Sequence, residues 1–191
     1  MIGRPLIPIL LALAACARAS SAPERTGPLP ETPLPPASFG RELVLSEVVT
    51  GDYGDRSQSM RVELEITPER LVVVGLTHLG VPLFTLEQTA AGLSVRSSAP
   101  GPLPFDPRYM LSDLQLVHWP AGVLADRLAR DGLRLEDRPA DHLRRVVDQS
   151  GRPLVEIVYP APGARPSVIT VSHRDRSYRL RIETIGEPVP R

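Results

Sequence analysis

The heptapeptide Met60-Arg61-Val62-Glu63-Leu64-Glu65-Ile66 sets an apolar side chain at every even position and a charged one between each pair. Successive side chains of an extended chain point to opposite sides, so this two-residue period describes a strand with one face on a core and the other in water. A helix over the same residues would scatter the apolar groups around its circumference. The strand is expected to be antiparallel to its neighbours, because parallel sheets are covered on both faces and read as unbroken apolar runs. The alternation begins at Arg41. Downstream, 71–76, 81–87 and 92–96 read as further short strands, with turns at Leu79-Gly80 and Ala90-Ala91-Gly92. The stretch 71–76 is apolar at both parities, so both of its faces are expected to be covered, one by helices and the other by a ligand or partner.

The period then changes. Asp106-Pro107 has the form of a helix start, a capping carboxylate followed by proline at the first helical position. Met110, Leu111, Leu114 and Val117 follow at helical spacing over 109–117. Pro120 interrupts, and 121–130 restarts as a second short helix with Val123, Leu124 and Leu128 as its apolar stripe and Gly132 at its end. Strands resume at 133–136, 143–148, 154–159, 168–172 and 178–185, with hairpin turns at Ser150-Gly151 and Arg174-Asp175-Arg176. Strands, a helical pair, then strands again predict a mainly β (α+β) fold: a curved antiparallel sheet or incomplete β-barrel with a helical lid.

Ahead of the first alternation, residues 20–38 are rich in Pro, Ser, Thr and Ala and include Pro28-Leu29-Pro30 and Pro33-Leu34-Pro35-Pro36. Such a segment is expected to act as a semi-extended tether reaching up to about 3.1 Å per residue. Before it, Arg4 supplies a positive charge and 6–15 form an apolar run too short to span a bilayer, the pattern of a signal peptide. The run ends in Leu13-Ala14-Ala15-Cys16, small residues before a scissile bond and a thiol after it. Cleavage between Ala15 and Cys16 and acylation of Cys16 are expected. Each buried methylene of the acyl chains would contribute about 0.8 kcal/mol, and two or three chains hold where one does not. No aspartate follows Cys16, which favours the outer membrane, with the domain facing the periplasm. The expected division is 1–15 signal peptide, 16–39 lipidated cysteine and tether, and 40–191 a single β domain.

A lone cysteine excludes an intramolecular disulfide, so the 42% apolar content must supply a core by itself. Arginine and acidic residues balance at 22 each, an argument against nucleic acid as a partner. Every basic residue is arginine and asparagine is absent, which reads as codon bias of a GC-rich genome. His78, His118, His142 and His173 fall on different elements, with no HExxH and no compact metal spacing. No GxSxG elbow, glycine-rich phosphate loop or singled-out carboxylate pair is present. The chain is therefore expected to be a monomer without enzymatic activity, cofactor or metal. Its site would be an apolar concavity of the sheet.

Two stretches carry a resemblance. YMLSDLQLVHWP, from Tyr109 to Pro120, resembles the signature of a family of bacterial outer-membrane lipoproteins, a domain of unknown function often encoded beside fatty-acid-like and aryl polyene synthesis genes. LVVVGLTHLGVPLFTLEQTAAGLSV, from Leu71 to Val95, is similar to the strand-glycine-strand hairpin of the LolA and LolB lipoprotein carriers. The LolB-like resemblance implies a lumen lined by aliphatic and aromatic side chains that receives a lipid or acylated cargo. It places Leu71, Val73, Leu83, Phe84, Leu86, Leu114 and Trp119 on that lumen and Leu79 on a membrane-inserting loop. It also implies a periplasmic LolA-like carrier as donor and the lipid anchor as the contact with the membrane. The alternative expectation is an accessory envelope lipoprotein that binds another protein through a sheet edge.

Overall fold

The structure is a computed structural model that describes residues 33–103 and 105–189, with side chains to Gly186. The expected signal peptide and the Ala15–Cys16 site lie outside the described residues.

Ten strands form one antiparallel sheet in the order β5-β4-β3-β2-β1-β10-β9-β8-β7-β6. They are β1 (Leu43–Tyr53), β2 (Arg56–Ile66), β3 (Arg70–Leu76), β4 (Pro82–Thr89), β5 (Gly92–Ser97), β6 (Arg134–Arg138), β7 (Leu143–Val147), β8 (Pro153–Val158), β9 (Val168–His173) and β10 (Tyr178–Val189). Each half of the chain is a five-strand meander, and the halves join where β1 pairs with β10. The outer edges, β5 and β6, are bridged by α1 (Pro107–His118) and α2 (Ala121–Arg130). Asp106 caps α1 as its position predicts, accepting from the Arg108 N–H at 3.0 Å.

The alternation of β2 is obeyed: Met60, Val62, Leu64 and Ile66 are buried. Register carries the apolar face across the sheet, Leu45 opposite Leu64, Leu64 opposite Val73 and Val73 opposite Leu86. In the other half Val49 faces Ile182, Ile182 faces Ile169, and Val171 lies between Leu180 and Ile157. Buried polar side chains of β1, β4, β7 and β9 all reach α1. Asp113 and Gln115, two residues apart and so on opposed sides of that helix, meet β9 and β4 respectively. The sheet is therefore curved around α1. It remains open, since β5 and β6 each have a single strand neighbour. Helix α2 is peripheral, burying Leu124 and Leu128.

Three expectations are corrected. The Pro-rich segment folds onto the domain from Pro33, not from residue 40. Leu34 and Phe39 are buried, and Pro36–Phe39 form a one-turn 3₁₀ helix. Proline removes N–H donors but leaves apolar side chains and carbonyls, and these found partners. Strand β3 is covered on one face only. Val72 and Val74 are half-buried between Glu65 and Glu87 and between Glu63 and Thr85 on the adjacent strands. On α1 it is Leu116 that is buried, while Met110 is half-buried.

Candidate functional site

The concave side is not completely filled. A cavity of about 60 Å³ remains between one end of the sheet and the first turns of α1. Val49, Gly51 and Tyr53 of β1, Gln58 and Met60 of β2, and Leu180 of β10 line the sheet side. Phe105, Tyr109, Met110 and Asp113 line the other, and Tyr178 lies between. Alternation explains the first set, because Val49, Gly51, Met60 and Leu180 carry inward parity. A Cβ at Gly51 would collide with the Tyr53 ring, so glycine is what lets that ring lie back across the strand. Tyr53 is 41% exposed and Gln58 is exposed, which places the opening at the β1–β2 hairpin. The volume is less than half the roughly 150 Å³ that accepts benzene in an engineered cavity, so the space as it stands admits the end of a chain.

Beneath the apolar wall lies a polar floor. Asp113 Oδ1 is 2.7 Å from His173 Nε2, and the Tyr178 hydroxyl donates to Asp113 Oδ2 at 2.8 Å. The imidazole stacks on Tyr178 with centroids 4.2 Å apart, and its Nδ1 is 3.9 Å from Asp175 Oδ1. Tyr53 and Tyr178 rings are 5.5 Å apart, and the Arg176 guanidinium covers Tyr109 at 4.7 Å. Burial and the Asp113 carboxylate both push the Tyr178 phenol far above its ordinary range, and the same two causes raise Tyr53. These phenols stay protonated as donors. Among the described residues no serine or cysteine is hydrogen-bonded to His173, so the arrangement lacks the nucleophile of an acyl-transfer triad. Nor do the described residues bring three His, Cys, Asp or Glu side chains together as a metal site.

The Asp113–His173 pair, joined by Tyr178 of β10, is one of several links that tie α1 into the sheet. Gln115 donates to Gln88 of β4, and both amides donate to the Leu34 carbonyl, at 2.9 and 2.8 Å; Gln115 also accepts the Leu34 N–H at 2.8 Å. Arg144 of β7 donates to the Leu116 and Trp119 carbonyls at the α1 C-terminus, where a cation complements the helix dipole. His118 lies 3.2 Å from the carboxylate of Glu47, a wholly buried side chain of β1; the pair is close but off the alignment of a hydrogen bond.

The residues that the LolB-like resemblance placed on a lumen lie elsewhere. Leu71, Val73, Phe84, Leu86, Leu114 and Trp119 are at most 1% exposed and packed in one core, with Leu83 half-buried against it. None borders the cavity. Phe84 is edge-on to the wall residue Phe105, with ring centroids 5.8 Å apart. Trp119 packs on Phe39 and donates to Ser38 Oγ at 2.9 Å. Leu79 is at the tip of the β3–β4 hairpin and 91% exposed, with Val81 beside it at 57%. The loop is closed by Thr77, whose N–H donates to the Val81 carbonyl and whose Oγ1 accepts the Val81 N–H. Asp113, His173 and Tyr178 were missed as a site. The available signal was parity: His173 follows Ile169 and Val171 on the inward register of its strand.

A family model described as "Protein of unknown function (DUF3261)" matches residues 44–186. No curated protein matches the chain. Among solved structures, it is similar to a domain from Vibrio parahaemolyticus provisionally designated an outer membrane lipoprotein-sorting protein domain. Identity is 7%, with 79% of this chain and 86% of that one covered and a TM-score of 0.41. It is also similar to the LolA superfamily protein NE2245 from Nitrosomonas europaea, at 11% identity over 86% of this chain and 90% of that one, with a TM-score of 0.43.

Proposed function

The chain belongs to the DUF3261 family, whose model spans the β domain and not the segment ahead of it; from that premise we propose that the domain itself carries the activity, as a binding module for an acylated or lipid-like molecule. The observation that carries this reading is the apolar cavity opening beside Tyr53, with Met60, Phe105, Met110 and Leu180 in its wall. Two of those residues are methionines, unbranched and polarisable side chains that repack around an incoming chain at low cost. Chain methylenes seated there keep roughly 25 cal/mol for each Å² of apolar area held away from water, and a handover between two apolar sites preserves that energy without a nucleotide.

In this reading the protein is an outer-membrane lipoprotein, cleaved after Ala15 and acylated on Cys16, that works from the periplasmic side. A periplasmic LolA-like carrier supplies the cargo, and Leu79 with Val81 at the β3–β4 tip meets the receiving membrane. Among the described residues no helix is long and apolar enough to cross a membrane. The test is chemical. The purified protein is extracted with organic solvent for mass spectrometry and titrated with a fluorescent fatty acid, alongside Met110→Glu, which puts a charge on the half-buried wall. Bound lipid and fluorophore uptake, both lost in Met110→Glu while the fold persists, are the expected results. A protein that comes out empty and takes up no fluorophore refutes the reading.

A further inference from the structure

The cavity wall contains one ionisable carboxyl, and its remaining capacity determines what kind of molecule fits. A carboxylate offers about four lone-pair positions. Asp113 commits one on each oxygen, to His173 Nε2 and to the Tyr178 hydroxyl. It is 3% exposed and lines the cavity, so its remaining lone pairs are directed at whatever occupies that space. A second carboxylate stands close by. Asp175 lies behind His173, and both of its carboxylate oxygens are buried without a hydrogen bond. Beside these two carboxylates stands one guanidinium, Arg176, which stacks on Tyr109, has a buried Nη1 without a hydrogen bond and is not part of the cavity wall. Burial first and the Asp113 carboxylate second raise Tyr178 and Tyr53, while Arg176 acts on Tyr178 in the opposite direction.

We propose that the cavity selects aliphatic ligands whose polar end donates hydrogen bonds, an ammonium or a hydroxyl received by Asp113, and discriminates against a free carboxylate end. This deepens the binding function proposed above and rests on it. The polar end and the methylenes next to it enter between Met60, Met110 and Leu180, with the polar end on the floor and the rest of the chain leaving past Tyr53. An incoming carboxylate would meet a second negative charge in a water-poor space, the arrangement that like-charge pairs avoid. An ammonium would complete the lone-pair set of Asp113 with charge-assisted hydrogen bonds.

The full mature chain is loaded with N-phenylnaphthylamine and titrated, below micelle-forming concentrations, with dodecylammonium, dodecanol and dodecanoate. Expected is displacement in that order, with dodecylammonium at least about tenfold tighter than dodecanoate, or about 1.4 kcal/mol. Asp113→Asn, nearly the same size and able to donate, should erase the ammonium preference and improve dodecanoate while leaving dodecanol within a few-fold. The order in the unaltered protein is informative even if that variant fails to fold. Equal affinities, or dodecanoate binding best, overturn the selectivity and leave the binding function standing. No displacement by any of the three removes both.

Discussion

A chain begun at Gly40 should be measurably less stable than one begun at Pro33. The shorter chain lacks Leu34, 8% exposed, and Phe39, 2% exposed, whose ring sits 4.9 Å from that of Trp119. Burying a side chain of either type stabilises by about 1.5–3 kcal/mol, so the pair contributes about 3–6 kcal/mol. The hydrogen bonds to the Leu34 backbone and to Ser38 are lost as well, but water replaces them at an edge uncovered by the deletion, and they add little. For a domain of this size each kcal/mol moves the midpoint by about 2–4 °C, which gives a fall of about 6–24 °C. Thermal unfolding of both chains, followed by circular dichroism, decides it. Midpoints within about 2 °C of one another would mean that residues 33–39 ride on the domain without stabilising it, and that the boundary belongs at residue 40 after all.

Gly75→Ala should cost about 1–3 kcal/mol, because the new Cβ collides with the Phe84 ring directly opposite. Adding Phe84→Leu should recover part of that, and strictly additive losses in chemical denaturation would show that the two positions do not collide. Replacing Glu47 and His118 together by leucine should be neutral or stabilise by about 1–4 kcal/mol, since two poorly aligned buried groups give way to packing; marked destabilisation of the double variant in urea would show the pair to be net favourable. Asp148, in the β7–β8 turn, accepts from the Ser150 hydroxyl and from the Ser150 and Arg152 N–H groups, and its carboxyl is lowered to about 2, chiefly by the Ser150 hydroxyl. Its contribution to stability is thus complete above the ordinary carboxyl value of 3.8 and lost as pH falls through about 2. Carbon-detected NMR should find that midpoint and see it rise in Ser150→Ala; an unperturbed titration would remove the turn from the account of acid stability.

What the sequence revealed was local. The β2 alternation, the Asp106 cap and the turns expected at Ala90-Ala91-Gly92, Ser150-Gly151 and Arg174-Asp175-Arg176 are each determined within a few residues, and each is found within a residue of where it was expected. The curved sheet and the two helices follow from those pieces. The polar floor does not: Asp113 and His173 are 60 residues apart, and Leu34 and Gln115 are 81 apart. No periodicity reaches across such distances. A partial signal existed nonetheless, for Glu47, Gln88, Arg144 and His173 all sit at inward parity among aliphatic neighbours. A polar residue there calls for a partner; α1 supplies a hydrogen bond to Gln88, Arg144 and His173, and to Glu47 only the close but misaligned His118. The tether was misread for a related reason. Composition measures how little a proline-rich stretch can bury by itself, not whether two glutamines elsewhere are waiting for its backbone.

Those links also decide how the cavity can grow. Advancing α1 by one turn, about 5.4 Å, would part it from β1, β4, β7, β9 and β10 in a single stroke, leaving a buried carboxylate, an amide, a guanidinium, an imidazole and a phenol bare together. The helix is keyed rather than free to slide. Admission of a longer chain therefore falls to the parts without such keys: the thioether arms of Met60 and Met110, and the Tyr53 ring swinging off Gly51 like a latch on the rim.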